Sequence, residues 1–277
     1  SFHSNNYFGK NIQIVATGDV NHDEIAEAAE QAFASLPATA TLQEANTHNP
    51  VYHPMLMMIR DDEMVNTNVG VFYDAPSAKH EDYWAFRLFQ QMNGKYRIDE
   101  NDGHINDPQK QYNVLHTLLG EYPDVTRADC HYLAYSDCGL WGNYLFGNEV
   151  FTRGMNWSAC HVPTIYGHYI TQVEVIRARN RMYNDMMNYE DAQSLNEDIG
   201  NQLMTIGRRV PRSEVATRIS NLDNYHMKQI ANKYFYDAEP CWTNWGPIEQ
   251  VSVVGSYKYF KGNTMSTITN AHQNLHD

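Results

Sequence analysis

The chain has 277 residues, enough for about two domains of common size, and a chain of this length buries on the order of 75% of its unfolded surface. Its 42% hydrophobic and 19% charged residues exclude a wholly disordered polymer. No apolar run approaches the roughly 18–20 residues that cross a bilayer, so no direct membrane span is expected. Lys plus Arg number 20 against 33 for Asp plus Glu, and the net charge of −13 repels phosphate backbones and anionic headgroups, which argues against a nucleic-acid partner.

The four cysteines, Cys130, Cys138, Cys160 and Cys241, fit no paired-ligand zinc spacing and are too few to staple a chain this long. They are expected as buried thiols in a reducing compartment. The sequence opens at Ser1 with no basic segment followed by an apolar one, so any targeting sequence is expected to be gone already, or the chain to be one part of a gene product.

In chain order, Asn11–Thr17 alternates polar and apolar side chains and predicts a strand, followed by turn and cap residues at Gly18–Asn21. Ile25, Ala28, Ala29, Ala32 and Phe33 then share one face of a helix over His22–Phe33, with acidic residues in its first turn. Leu36-Pro37 ends this unit, and residues 37–54 read as an extended linker. A second unit follows: strands at Met55–Arg60 and Asn68–Tyr73, a break at Ala75-Pro76-Ser77, and a helix over His80–Met92. Tyr96–Pro123 is polar and predicts an irregular excursion with one short helix at Val114–Leu119. Cys130–Tyr135 and Leu140–Phe146 predict two antiparallel strands joined by a tight turn at Ser136–Gly139. The longest helical period, Ser158–Tyr189, predicts one helix lying across a sheet on Val162, Ile165, Tyr169, Val173, Ile176, Tyr183 and Met187, with Pro163 tolerable only in its first turn. Helices at Ala192–Ile206, Arg212–Asn221 and Asn224–Phe235 and a strand at Pro240–Trp245 follow. From Gly262 a loose tail is expected.

No residue pattern singles out catalysis, and no residue is assigned as catalytic, cofactor-binding or metal-binding. The thirteen histidines invite a metal, but His161 and His168 would stand about 10.5 Å apart along one helix, too far to share a zinc, and His48 and His53 lie in the linker. Neither H-E-x-x-H nor H-x-x-E-H occurs, nor G-x-S-x-G, G-x-x-x-x-G-K-[ST] or G-x-G-x-x-G. No cofactor is expected in this chain. The Arg208-Arg209 pair is read as capping carbonyls and pairing with acidic surface rather than clamping an anion. Trp242 and Trp245 are read as a core plug or a subunit contact. Asn156-Trp157-Ser158 is formally a glycosylation sequon beside a helix start.

Several blocks together resemble a known family. Glu197–Gly200, Gln202–Pro211, Lys233-Tyr234-Phe235-Tyr236-Asp237 and Trp245–Gln250 are similar, in order and spacing, to the C-terminal part of β-type subunits of the mitochondrial processing peptidase and of core protein 1 of respiratory complex III. Both belong to the pitrilysin-type metalloprotease superfamily. Tyr135–Gly142 adds the family's tyrosine–acid–x–glycine–leucine strand pair, and the resemblance runs from about Gly9 to Tyr259. It implies an α+β fold: residues 1–36 as the C-terminal end of a first pitrilysin-type domain, 37–54 as linker, 55–261 as a complete second domain with helices packed on an antiparallel sheet, and 262–277 as tail. In active β subunits the inverted zinc motif lies upstream of the strand equivalent to Asn11–Thr17, so the resemblance transfers no catalytic residue to this chain. The glycine-rich substrate loop of α-type subunits has no counterpart here, which points to the β type. The role implied is a structural core subunit of complex III on the matrix side of the mitochondrial inner membrane. Its implied partners are the α-type core subunit, other complex III subunits including membrane-embedded ones, and a chain or segment completing the first domain. The alternative is one part of an active processing peptidase, with zinc held on another or unlisted polypeptide.

Overall fold

The computed structural model describes residues 7–38, 50–98, 113–120, 122, 124–187 and 192–248. The elements run α1 (His22–Phe33), β1 (Leu56–Arg60), β2 (Asn66–Ala75), α2 (Tyr83–Asn93), β3 (Lys95–Arg97), α3 (Val114–Leu119), β4 (Val125–Ala134), β5 (Gly139–Asn148), α4 (Thr152–His168), α5 (Gln172–Met187), α6 (Ala192–Thr205), α7 (Arg212–Ser220), α8 (Asn224–Phe235) and β6 (Cys241–Gly246). The strands form one six-stranded mixed sheet in the order β1-β6-β2-β5-β4-β3. Among the described residues, only β1 and β6 pair in parallel.

Alternation decides which face of the sheet is covered, because successive side chains point to opposite sides. Val69, Val71 and Tyr73 of β2, Trp141 and Leu145 of β5, and Ala128, Cys130 and Tyr132 of β4 are buried against α2, α4 and α8. Aromatic rings fill this space: Phe89 stacks on Tyr166 at 4.8 Å and Trp141 meets Phe235 at 5.0 Å. The hairpin tolerates no side chain at Gly142, where a Cβ would stand 2.1 Å from the Val71 carbonyl oxygen.

Four expectations are corrected. Residues 12–17 form no strand, since the strand period of Asn11–Thr17 has no partner strand among the described residues. The long helix expected over Ser158–Tyr189 is two, α4 and α5, with a break at Tyr169–Thr171. Thr171 and Glu174 form the reciprocal cap that starts α5: the Thr171 N–H donates to Glu174 Oε2 at 2.7 Å, and the Glu174 N–H donates to Thr171 Oγ1 at 3.3 Å. Pro163 lies inside α4 rather than in its first turn, buried in the core. Cys130 and Cys160 are buried, but Cys138 and Cys241 are partly exposed. Strand β3 was not anticipated inside the polar excursion, most of which, with the expected tail, lies outside the described residues.

Candidate interaction surface

The face of the sheet opposite the helices carries Met57 and Ile59 of β1, Phe72 of β2, Leu133 of β4, Leu140, Tyr144 and Phe146 of β5, and Trp245 of β6. Met57, Ile59, Leu133 and Trp245 are exposed. Strand β1 is also an edge, paired only to β6, so its outer backbone groups stand beside an apolar run, Leu56-Met57-Met58-Ile59. An exposed apolar edge of this kind is a template for pairing.

The other end of this face is ionic. Register places Arg97 of β3 opposite Arg127 of β4, and both guanidiniums close on Asp129, at 2.6 Å and 2.7 Å. Burial pushes the Asp129 carboxyl up, but the hydrogen bonds and charges of Arg97 and Arg127 outweigh it and hold the group below its ordinary value. Two cations on one carboxylate leave this corner positive in an acidic chain.

α1 adds a third unfilled surface. The Asn21 side chain caps it, accepting from the Asp23 N–H at 3.1 Å, yet none of its residues is buried. Ile14, Val20, Ile25 and Ala29 line a shallow hollow of about 420 Å³ closed on one side by Leu203 of α6.

The residues singled out by sequence fall into structural roles. Lys233 Nζ and the Tyr234 hydroxyl both donate to Asp82 Oδ2, at 2.7 Å and 2.9 Å, tying α8 to the start of α2. Burial, then the Asp82 carboxylate, push the Tyr234 phenol up. Phe235 packs edge-on to Tyr73 at 5.4 Å. Gly207 adopts a positive φ of 84° and donates to the Gln202 and Leu203 carbonyls, ending α6. The Gln202 side chain accepts from the Val210 N–H at 2.7 Å, which completes that turn. Arg208 grips Glu214 with two bonds, at 2.7 Å and 2.8 Å, and Arg218 joins from the next turn; Glu214 is thereby held down to about 2. Arg209 instead lines a cleft of about 210 Å³ with Arg87, Arg212, Trp84, Asp185 and Asp198. Trp242 is buried while Trp245 lies on the open face, so the pair divides between core and surface. Asn156 of the sequon is buried in α4 and donates to the Thr152 carbonyl at 2.9 Å, which shields it from modification in the folded chain. His161 stacks on Trp157 at 4.6 Å, and burial lowers its pKa. Among the described residues, no three His, Cys, Asp or Glu side chains gather into a metal site, and no helix is long and apolar enough to cross a membrane. The Thr171–Glu174 cap was legible as T-x-x-E but was hidden by the apolar period running through it.

Comparison with known proteins places these features in a family. Peptidase M16 inactive domain matches residues 1–152. A probable mitochondrial-processing peptidase subunit beta of Arabidopsis thaliana is 27% identical over 88% of this chain and 46% of its own length. Cytochrome b-c1 complex subunit 1 of Bos taurus is 24% identical over 90% of this chain and 51% of its own. The chain thus spans about half the length of the curated relatives it matches. A chain of complex III2 from Candida albicans superposes with a TM-score of 0.70 at 18% identity, covering 84% of this chain and 54% of that one, which shows the shared fold. The mixed sheet with helices on one face and the match over residues 1–152 agree: this chain belongs to the peptidase M16 inactive-domain family.

Proposed function

We propose that the chain is a structural core subunit of mitochondrial respiratory complex III, on the matrix side of the inner membrane, beside an α-type core subunit and membrane-embedded partners. The observation that carries this reading is the sheet itself: helices bury one face, while the other exposes Met57 and Ile59 of the edge strand β1, Trp245 on the neighbouring β6, and Leu133 on β4. Exposed apolar side chains grouped at a sheet edge favour a protein contact. The relatives support it, one kind being subunit 1 of the cytochrome b-c1 complex. In this reading residues 1–36 end a preceding α+β domain, 37–54 link, 55–261 form the second domain and 262–277 trail from it. The unburied α1 face then packs on a chain or segment that completes the first domain. The chain holds no zinc or other cofactor of its own, and elemental analysis of the purified chain after dialysis against a weak chelator is expected to find far less than one zinc per chain.

The β-type processing-peptidase relatives favour a second reading, a non-catalytic part of a presequence-removing peptidase. Blue-native electrophoresis of solubilised mitochondria separates the two. Co-migration with cytochrome b and c-type haem is expected, and migration only in a soluble heterodimer with peptidase activity overturns the proposal in favour of the alternative.

A further inference from the structure

The short connection between α6 and α7 treats its two arginines differently. Gly207 ends α6 with its positive φ of 84°, and Pro211 stands at the start of α7. Between them Val210 is buried, and its N–H donates to the Gln202 side chain at 2.7 Å. The backbone that carries Arg209 is therefore held on both sides. Arg208 closes on Glu214, whereas Arg209 makes no hydrogen bond or ion pair among the described residues. Asp and Glu number 33 against 20 Lys and Arg in this chain, yet this guanidinium has taken none of them.

The cleft that Arg209 lines lies between α2, α5, α6 and α7 and holds about 210 Å³. Its two acids are already engaged by neutral amides: Asp185 Oδ2 accepts from Gln91 and Asp198 Oδ2 from Gln202, each at 2.8 Å. Its arginines keep donors to spare. Arg87 gives one N–H to Gln90 at 3.2 Å, and Arg209 gives none. Arg212 also reaches the cleft but has a partner of its own. Trp84, Met182, Met186, Ile206 and Val215 form the apolar wall, and methionine side chains adapt to a stem of irregular shape.

We infer that this cleft binds a monocarboxylate on a short apolar stem, with the carboxylate on Arg209 and Arg87 and the stem against Trp84, Met182 and Met186. A guanidinium presents a planar fork that meets a carboxylate with two parallel hydrogen bonds. A phosphate suits that fork too, so charge decides between them. Three Arg against two Asp leave the lining one net positive charge, which balances a monoanion, and the two carboxylates repel a dianion about twice as strongly. Size sets the other limit. Sites for drug-sized ligands run to roughly 300–1,000 Å³, so a cleft this small takes one compact group and not a nucleotide. The same chemistry comes from two sources, a free acid or the C-terminal residue of another polypeptide. One chain builds the whole cleft, so the inference stands apart from the choice between complex III and the peptidase.

The test is photolabelling of the intact assembly, purified from its own cells, with 4,4-azipentanoate, a small carboxylate that carries a diazirine. Mass spectrometry locates the label, which is expected to saturate and to fall within residues 83–91, 182–186 or 201–215. Excess 4-phenylbutyrate should displace it, and 4-phenylbutyramide, the same shape without the charge, should not. Inorganic phosphate should compete about tenfold less well than 4-phenylbutyrate. Arg209→Gln is expected to lower labelling about tenfold or more, since it removes charge-assisted hydrogen bonds to the ligand. It breaks no bond within the chain, so the subunit composition should be unchanged. Lys228→Gln, which removes a cation of α8 outside the cleft, should leave labelling as it was. Displacement by acetyl-Ala-Ala-Phe as the free acid but not as the amide assigns the ligand to a chain terminus, and displacement by 4-phenylbutyrate without the peptide assigns it to a free acid. Label scattered without saturation, equal competition by 4-phenylbutyramide, stronger competition by phosphate, or full labelling of Arg209→Gln overturns the inference.

Discussion

Asp129 shows how one buried charge can be stabilising on an otherwise open face. Its side chain is 3% exposed, but two guanidiniums supply what water would have given it. Because the folded-state pKa is below the ordinary value, the group contributes stability that is present above about pH 4 and lost as pH falls through the folded pKa. Asp129→Asn is expected to cost about 1–2 kcal/mol at pH 7, discounted because Arg97 and Arg127 remain partly hydrated. The same substitution should flatten the loss of stability below about pH 4. Urea unfolding at pH 7 and pH 3 checks both, and a variant that keeps the wild-type difference between the two pH values would show that another carboxylate governs it. This cluster was not legible in sequence, because Arg97 comes from a three-residue strand inside a polar stretch and meets Asp129 only through the β3–β4 register.

At the scale of the element, α5 is set by its first turn more than by its apolar period. Thr171→Ala removes one half of the reciprocal cap and is expected to cost about 1 kcal/mol. Hydrogen exchange should speed first at the amides of residues 172–175, with the far end of α5 unchanged. The two faces of the helix give a sharper contrast. Val175→Ala empties a fully buried position and should destabilise by about 1–3 kcal/mol, whereas Val173→Ala, on the exposed side of α5, should change the stability of the isolated chain by no more than about 0.5 kcal/mol. Equal losses at both positions would mean that the exposed side is covered within the chain. The sequence period ran through buried Val162 of α4 but marked the exposed side of α5, because a period reports which residues share a side, not which side the fold covers.

For the whole molecule, stability is uneven. One contiguous core runs from β2 through α8 and β6, while α1 and residues 12–17 add no buried residue to it. Segments with few buried contacts open first. Proteinase K is therefore expected to cut the isolated chain within residues 7–38 well before it cuts the sheet, and to spare that segment in the intact assembly. Cleavage that starts in the β4–β5 hairpin would contradict this division. The same unevenness explains why residues 12–17 read as a strand yet pair with nothing among the described residues: alternation makes a strand possible, and only a neighbouring strand makes it a sheet.

The sequence by itself determined the types of most elements, though not of residues 12–17 or of β3. The spans of α1, α3 and α8 match the spans expected from sequence residue for residue, α1 and α8 with the Asn21 and Asp223 side chains as caps, and the strands beside the Ser136–Gly139 turn follow from alternation and turn chemistry. Both are local properties, written in spacings of two to four residues. Ordered blocks resembling a family also carried the fold class, because many residues in one order specify more than any single motif. Only the tertiary structure decided that β6, the last strand among the described residues, inserts between β1 and β2, that Trp245 stays outside while Trp242 goes in, and that Val173, Ile176, Tyr183 and Met187 of α5 turn away from the core. Those outcomes depend on contacts between residues far apart in the chain, and no local period records which partner a surface will meet.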